Sequence, residues 1–382
     1  MRVLFVFEGG AGAILPLVPL AQAFRSAGHE VIAAAHADAL PNLLGAGLAA
    51  VAAPQKAPAD YRVVRDGKLV PLTGDRDERA EVFGSIGAQI AVDSHRDLQD
   101  LVRRWPPDLL VGGPLASGAQ LLAAQTRIPY AAVEFGFAEP RNWHRVTAAE
   151  LRRQGFTDLP EPDITLILAP DELRTPPGDS LLLRPEGSPL RYVPYAPAQP
   201  VEPWMHAKGD RPRVWISAGS RVSKEYALDY LTGLIESAAG LDVELLIAVP
   251  DHLADALGRV PDHARVGWLP FDVLAPTCDL AVHHGGGSTL LGAAAHGVPQ
   301  LVIPSVPEFV EWLQPAGRSG AVRLLGPADN TPAAILAASR EMLADPSYRQ
   351  AAERLQDRIT ALPSPHETVG RLEAVALAGA RS

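Results

Sequence analysis

The sequence predicts an α/β protein of two Rossmann-like, doubly wound domains, and three observations predict it. Short apolar runs end in small or polar residues, helical stretches alternate with them, and the pattern occurs twice along the chain. Runs this short and this continuously apolar are buried on both faces, as strands of parallel sheets are. Alternation with helices makes βαβ units. At 382 residues the chain also exceeds the roughly 250–300 at which a single core stops growing.

The first half opens with the strand Arg2–Phe7, then Gly9-Gly-Ala-Gly12, then an apolar-periodic helix over 15–26 that Gly28-His29 ends as a C-cap. Further strands are read at 29–35, at 108–111 before Gly112-Gly113, and at 129–133 before Glu134. The second half repeats this grammar. Strands are read at 213–216 before Ser217-Ala-Gly-Ser220, at 243–249 before Pro250-Asp251, at 279–282 before His283-His-Gly-Gly-Gly-Ser-Thr289, and at 301–303 after Gly297-Val-Pro-Gln300. Pro194, Pro197, Pro200, Pro203 and Pro212 mark a semi-rigid joint. The expected organisation is an N-terminal domain over 1–195, a linker over 196–212, a C-terminal domain over 213–362, and a final helix in 363–382 that packs back on the N-terminal domain. A long exposed loop, a candidate lid, is expected over 59–83. Doubly wound domains bind ligands at the C-terminal ends of their strands, so the expected active site is a cleft between two facing sets of loops.

Composition bounds the function. Lys and Arg number 34 against 44 Asp and Glu, a net charge of −10, the opposite of a nucleic-acid footprint. Cys278, alone in the chain, excludes an internal disulfide framework and a multi-cysteine metal site and fits a reducing cytoplasm. No apolar run is long enough to span a membrane, and Glu8, Gly9 and Gly10 interrupt the apolar N-terminus as they would not in a signal peptide.

The most informative loop is the one after 279–282. Its glycines allow close approach of a ligand, and the helix it opens presents free N–H groups and a partial positive charge. A phosphate suits such a place, with His283 or His284 and the hydroxyls of Ser288 and Thr289 as further donors. The bland alternative is a helix start with glycines for packing. The turn at 216–220 is a second small-residue βα turn, able to hold the other side of a diphosphate or to be an ordinary connection. Trp268, between two strands, either stacks on a base or anchors the core.

These segments resemble the GT-B glycosyltransferases that decorate antibiotics in actinomycetes. The HHGGGST and GVPQ segments carry that likeness in the second half, and Pro19-Leu-Ala with Ala27-Gly-His-Glu-Val31 carries it in the first. GSRVSKE at 219–225, RVGWLPFDVLAPTCDL at 265–280 and VEPWM at 201–205 are similar to the urdamycin and landomycin type, which transfer a deoxysugar to an aromatic polyketide, some through a C–C bond. The resemblance implies an inverting, metal-independent transferase with no cofactor. Its donor would be a dTDP-sugar and its acceptor an aromatic aglycone. Both are small molecules, and a homodimer is left open. Gly219, Ser220, Arg221, His283, Gly285, Gly286, Gly287, Ser288 and Thr289 would hold the diphosphate, Trp268 and Leu269 the base, and Glu308 a sugar hydroxyl. His283 would also stabilise the departing charge.

The chain departs from that pattern in two places. Many relatives carry a Gly-His pair in the first glycine-rich loop, with the His as base; here the pair is Gly12-Ala13. Glu8 and Glu134, at C-terminal strand ends, are the substitute base candidates, with helix capping or pairing to an Arg as the alternative for each; Glu139 is a third nearby carboxylate. Relatives also carry Asp-Gln after the GVPQ strand, where this chain has Glu308-Phe309. Gly10, Ala13, Phe135, Phe137 and Trp143 are the expected acceptor walls. Rival readings are a nicotinamide dehydrogenase, opposed by Leu15 at the third glycine position; an Asp-x-Asp metal site at Asp75-Arg76-Asp77, better read as a solvated charge run; and an inactive helper that activates a partner transferase.

Overall fold

The computed structural model describes residues 1–54, 56, 61, 63–65, 68–69, 76–113, 116–136, 141–174, 187–219, 224–238, 240–258, 260–261, 264–304 and 308–379. The chain divides into two compact units. One comprises Met1–Leu168, Pro176–Leu190 and Pro363–Ser382, the other Ala169–Thr175 and Arg191–Leu362.

The first unit is a seven-stranded parallel sheet. Its strands are β1 (Arg2–Phe7), β2 (Glu30–Ala35), β3 (Ala49–Ala52), β4 (Leu109–Gly112), β5 (Tyr130–Glu134), β6 (Ile164–Ile167) and β7 (Ser188–Pro189), in the order β3-β2-β1-β4-β5-β6-β7. Val3 through Phe7 are all buried, because helices cover both faces of a parallel sheet. Fully burying each such side chain contributes about 1.5–3 kcal/mol. Helix α1 (Val18–Ser26) ends where the sequence expects. Gly28, at φ +89°, lets its own N–H reach Arg25 C=O and that of His29 reach Phe24 C=O, the paired bonds of a Schellman C-cap.

Helix α2 (Arg76–Arg104) corrects the reading of 59–83 as loop, since its last eight residues are helical. The charge run supplies Asp77 and Glu78 to its first turn, with Arg103 and Arg104 in the last, as the helix dipole favours. Asp75 and the residues just before it lie outside the described set. Helices α3 (Ser117–Thr126) and α4 (Arg141–Arg153) pack on α2 or follow it, and Leu98, Ala119 and Leu122 join a core with Leu4, Val6 and Leu110.

The second unit has six parallel strands: β8 (Arg213–Ser217), β9 (Glu244–Ala248), β10 (Ala264–Gly267), β11 (Leu280–His283), β12 (Gln300–Val302) and β13 (Val322–Leu324). Their order is β10-β9-β8-β11-β12-β13. Helices α5 (Lys224–Ala238), α6 (Gly287–Ala295), α7 (Glu308–Arg318), α8 (Pro332–Ala344) and α9 (Pro346–Thr360) complete it. Thr331 and Asp345 cap α8 and α9 by accepting from Ala334 N–H and Ser347 N–H, each before a Pro at N1. The proline-rich stretch read as a linker belongs to this unit. Met205, on the short helix Pro203–His206, is buried with Trp215, Leu246 and Leu274, and Arg213 donates to Trp204 C=O. Helix α10 (Pro365–Gly379) lies on the first unit. It packs against α1, and Glu373 Oε1 sits 3.0 Å from His29 Nε2. Among the described residues no helix is long and apolar enough to cross a membrane.

Candidate active site

Both sheets reverse strand order beside their first strand, at β1/β4 and at β8/β11. Doubly wound sheets bind ligands at such switch points.

In the second unit β11 delivers His283, a glycine-rich turn and then α6. Gly285 has φ +90°, a conformation that side chains with a Cβ resist, and a Cβ there would press on Leu313. Gly286 is the N-cap of α6 and offers no side-chain cap. The first-turn N–H groups of a helix have no intrahelical acceptor and carry the positive end of its dipole. The entry to α6, at Gly287, Ser288 and Thr289, therefore has the chemistry that suits an anion. Facing it, β8 exits through Gly219, at φ +76°, whose N–H donates to Ser217 Oγ at 3.0 Å. A Cβ on either Gly219 or Gly286 would run into the His284 imidazole. The structure thus brings Gly219, His284 and Gly285–Gly287 together. The buried Tyr192 hydroxyl donates to Ser288 C=O at 3.1 Å, pinning the first turn of α6.

His283 requires a correction. Its side chain is 0% exposed. Nδ1 accepts the Gly285 N–H at 3.1 Å, and Nε2 lies 2.9 Å from Gln300 Oε1. An N–H can only donate, so Nδ1 is the acceptor and Nε2 carries the proton. Burial, then the neighbouring His284, push the imidazole down to about 3. The ring is neutral and committed inward, not a donor at the loop surface. Sequence reasoning missed Gln300 as a partner. The available signal was one amide in an apolar strand, and it is 0% exposed.

Trp268 follows β10 and is 38% exposed, which opposes the core-anchor reading. Leu269 packs against the cluster of Met205, Trp215 and Leu274. Ser220 and Arg221 lie outside the described residues, as does the side chain of Glu308.

In the first unit Glu8 follows β1 and is 2% exposed. Its Oε2 accepts the Gly118 N–H at 3.2 Å, with Ser94 and Ser117 as further polar neighbours that favour the charged form, while Oε1 has no hydrogen-bond partner among the described residues. Desolvation outweighs these contacts and raises the carboxyl to about 7. Helix α3 has no cap from its own N-cap residue, Ala116; Glu8 supplies one from β1. Gly118 matches it, since a Cβ there would collide with Glu8 Oε1. Glu8 thus takes the capping role that the sequence left open beside the catalytic one. Gly10 is the N-cap of the short helix Ala11–Ile14, and Ala13 is buried in it. Glu134 is the last residue of β5 and is buried, with its C=O accepting from Leu168 N–H. Phe135 is half-buried, and Trp143 on α4 packs on Phe83 of α2 with ring centroids 4.5 Å apart. Phe137 and Glu139 lie outside the described residues.

Residues 22–219 match the N-terminal domain, and residues 232–375 the C-terminal domain, of the erythromycin biosynthesis protein CIII-like family. The L-demethylnoviosyl transferase of Streptomyces niveus is 33% identical over 375 residues, 96% of each chain. The glycosyltransferase SsfS6 of Streptomyces sp. SF2575, solved with thymidine diphosphate, superposes with a TM-score of 0.82 at 28% identity, covering 98% of this chain and 99% of that one. The spinosyn rhamnosyltransferase SpnG, solved with thymidine diphosphate and with spinosyn aglycone, gives 0.82 at 28% identity in both cases, covering 98% of this chain and 100% of that one.

Proposed function

The chain belongs to the erythromycin biosynthesis protein CIII-like family and is a glycosyltransferase, and on that premise we propose that it transfers a deoxysugar from a dTDP-sugar to an aromatic, polyketide-like aglycone with inversion. One observation carries the donor half: the N-terminus of α6 is entered through glycines, takes no side-chain cap from its N-cap residue Gly286, and lies across the His284 imidazole from Gly219. The thymidine diphosphate held by SsfS6 and SpnG supports the same reading. The second unit then holds the donor, with Trp268 against the base, and the first unit holds the acceptor near Phe135 and Trp143.

In the reaction the bond between the anomeric carbon and the diphosphate oxygen breaks, and the sugar gains oxocarbenium character. The negative charge that grows on the leaving oxygen meets the preorganised N–H groups of α6. These dipoles do without a metal what a cation would otherwise do, and among the described residues no three His, Cys, Asp or Glu side chains group to hold one. The acceptor attacks the opposite face and loses a proton. With Ala13 where many relatives place a His, and Glu8 engaged as a cap, the acidity of a phenol carries much of that step. A phenol attacks through oxygen or through its ortho carbon, and we propose the C–C product that the urdamycin and landomycin likeness suggests. Ala13 is also the observation that favours the rival reading, an inactive helper of a partner transferase.

Calorimetric titration with dTDP and UDP separates the two. The transferase binds dTDP in preference to UDP, and His283→Ala weakens dTDP by about 10- to 100-fold, because Gly285 N–H and Gln300 lose their partner. Mass detection of an acid-stable C-linked product then fixes the bond type. Absence of binding to any nucleoside diphosphate sinks the transferase reading and favours the helper.

A further inference from the structure

The buried side chains beneath the glycine-rich turn form one hydrogen-bonded chain. It runs from Gly285 N–H to His283 Nδ1 (3.1 Å), from His283 Nε2 to Gln300 Oε1 (2.9 Å), and from Gln300 Nε2 to Leu290 C=O (3.2 Å). Only one assignment of protons satisfies all three contacts. The backbone N–H must donate, so the imidazole accepts at Nδ1 and donates at Nε2. The amide then accepts at oxygen and donates at nitrogen. The chain links the turn before α6 to the fourth residue of α6 by way of β12. Parallel pairing of His283 with Val302 fixes the two strands side by side.

We propose that Gln300 is a positioning residue for the diphosphate loop, acting through His283. Gln300 selects the one tautomer of His283 that can take the Gly285 N–H inward. With that N–H held, Gly285 keeps its positive φ, and Gly286 is presented as an uncapped N-cap with the helix dipole facing outward. Without Gln300, the imidazole can carry its proton on Nδ1, where it opposes the Gly285 N–H and releases the turn. His284 is the titratable group facing this ring, and the ring remains uncharged, so its service to the anion is geometric.

This inference rests on the proposed donor site, and the test separates the two. Calorimetry on the full chain compares dTDP with thymidine, which shares the base and lacks the diphosphate. Gln300→Met, nearly isosteric and without hydrogen bonds to give, should weaken dTDP about tenfold, the cost of one stranded buried polar group, and leave thymidine within twofold. In a His283→Phe background the same substitution should change neither ligand. Equal losses for dTDP and thymidine would show general damage and overturn the proposal, as would unchanged dTDP affinity. An undiminished Gln300→Met effect in the His283→Phe background would overturn action through His283. If Gln300→Met does not fold, Gln300→Glu keeps the oxygen that His283 donates to. It should bind dTDP better than His283→Phe does, and no better binding would overturn the proposal. Failure of the wild-type chain to bind dTDP would instead sink the donor-site reading itself.

Discussion

The two units meet the same problem at the same place and solve it oppositely. In each, the first and fourth strands adjoin, and the helix after the fourth strand begins at the switch point. Glu8 lies two residues past Val6, the last β1 residue paired with β4; Gly219 lies two past Ser217, the last β8 residue paired with β11. At the first position a carboxylate caps α3 from inside. At the second a glycine stands aside, an imidazole fills the gap, and the N-cap residue of α6, Gly286, offers no side-chain cap. One fold therefore contains a helix start capped by a carboxylate from a neighbouring strand exit and another entered through glycines with no cap from its N-cap residue. A shared topology supplies the position, and the side chain that stands there decides its chemistry.

The strongest way to break the contrast is to cap α6 with a carboxylate, as Glu8 caps α3. Gly286→Asp puts a favoured capping carboxylate at the N-cap of α6. A like charge about 4 Å from a phosphate costs roughly 4 kcal/mol at an effective dielectric near 20, so dTDP affinity should fall about 100- to 1,000-fold in calorimetry. Gly286→Asn caps without charge and should retain much more affinity. Equal losses for the two would show that space, not charge, governs the loop.

Next comes the Glu8 cap of α3. The Glu8 pKa rises from 4.5 to about 7 on folding, so the folded chain keeps a proton that the unfolded chain gives up between those values. Stability attributable to Glu8 falls as pH climbs through that window, by about 3 kcal/mol once above it. Glu8→Gln keeps an oxygen for Gly118 N–H and cannot ionise. Its melting temperature should exceed wild type at pH 8 and approach it at pH 5, with dTDP affinity unchanged. A pH-independent difference would show that Glu8 is not buried as a cap.

The smallest effect sharpens the nucleotide end. Trp268→Ala should weaken thymidine and dTDP alike by about tenfold, within the 1–3 kcal/mol of a stacked base. A loss confined to dTDP would move Trp268 away from the base.

Much of the fold was legible because its signals are local. Continuous apolar runs, glycines at strand exits and the Gly28 C-cap report two doubly wound sheets, and helices, from short windows of sequence. Edge strands such as β3 and β10, with alanines or half-buried residues, lack that signal. The start of α2 was misread because acidic residues in a first turn look like a solvated loop until the helix behind them is seen. The candidate donor loop was legible as glycines, hydroxyls and imidazoles before a helix. The direction of His283 was not, and for Glu8 the sequence offered capping beside catalysis without naming the helix it caps.

The sequence by itself determined the strand-and-helix grammar, its duplication, and a phosphate-suited turn after the fourth strand of the second half, since each is written in neighbouring residues. Tertiary structure alone decided which helix starts are occupied. Glu8 and Gly118 are 110 positions apart, and His283 and Gln300 are 17. Each pair meets only when parallel pairing and helix packing set which face of a strand is buried and what stands opposite it. Burial then decided chemistry: the same desolvation holds the Glu8 carboxyl near neutrality and keeps the His283 imidazole uncharged.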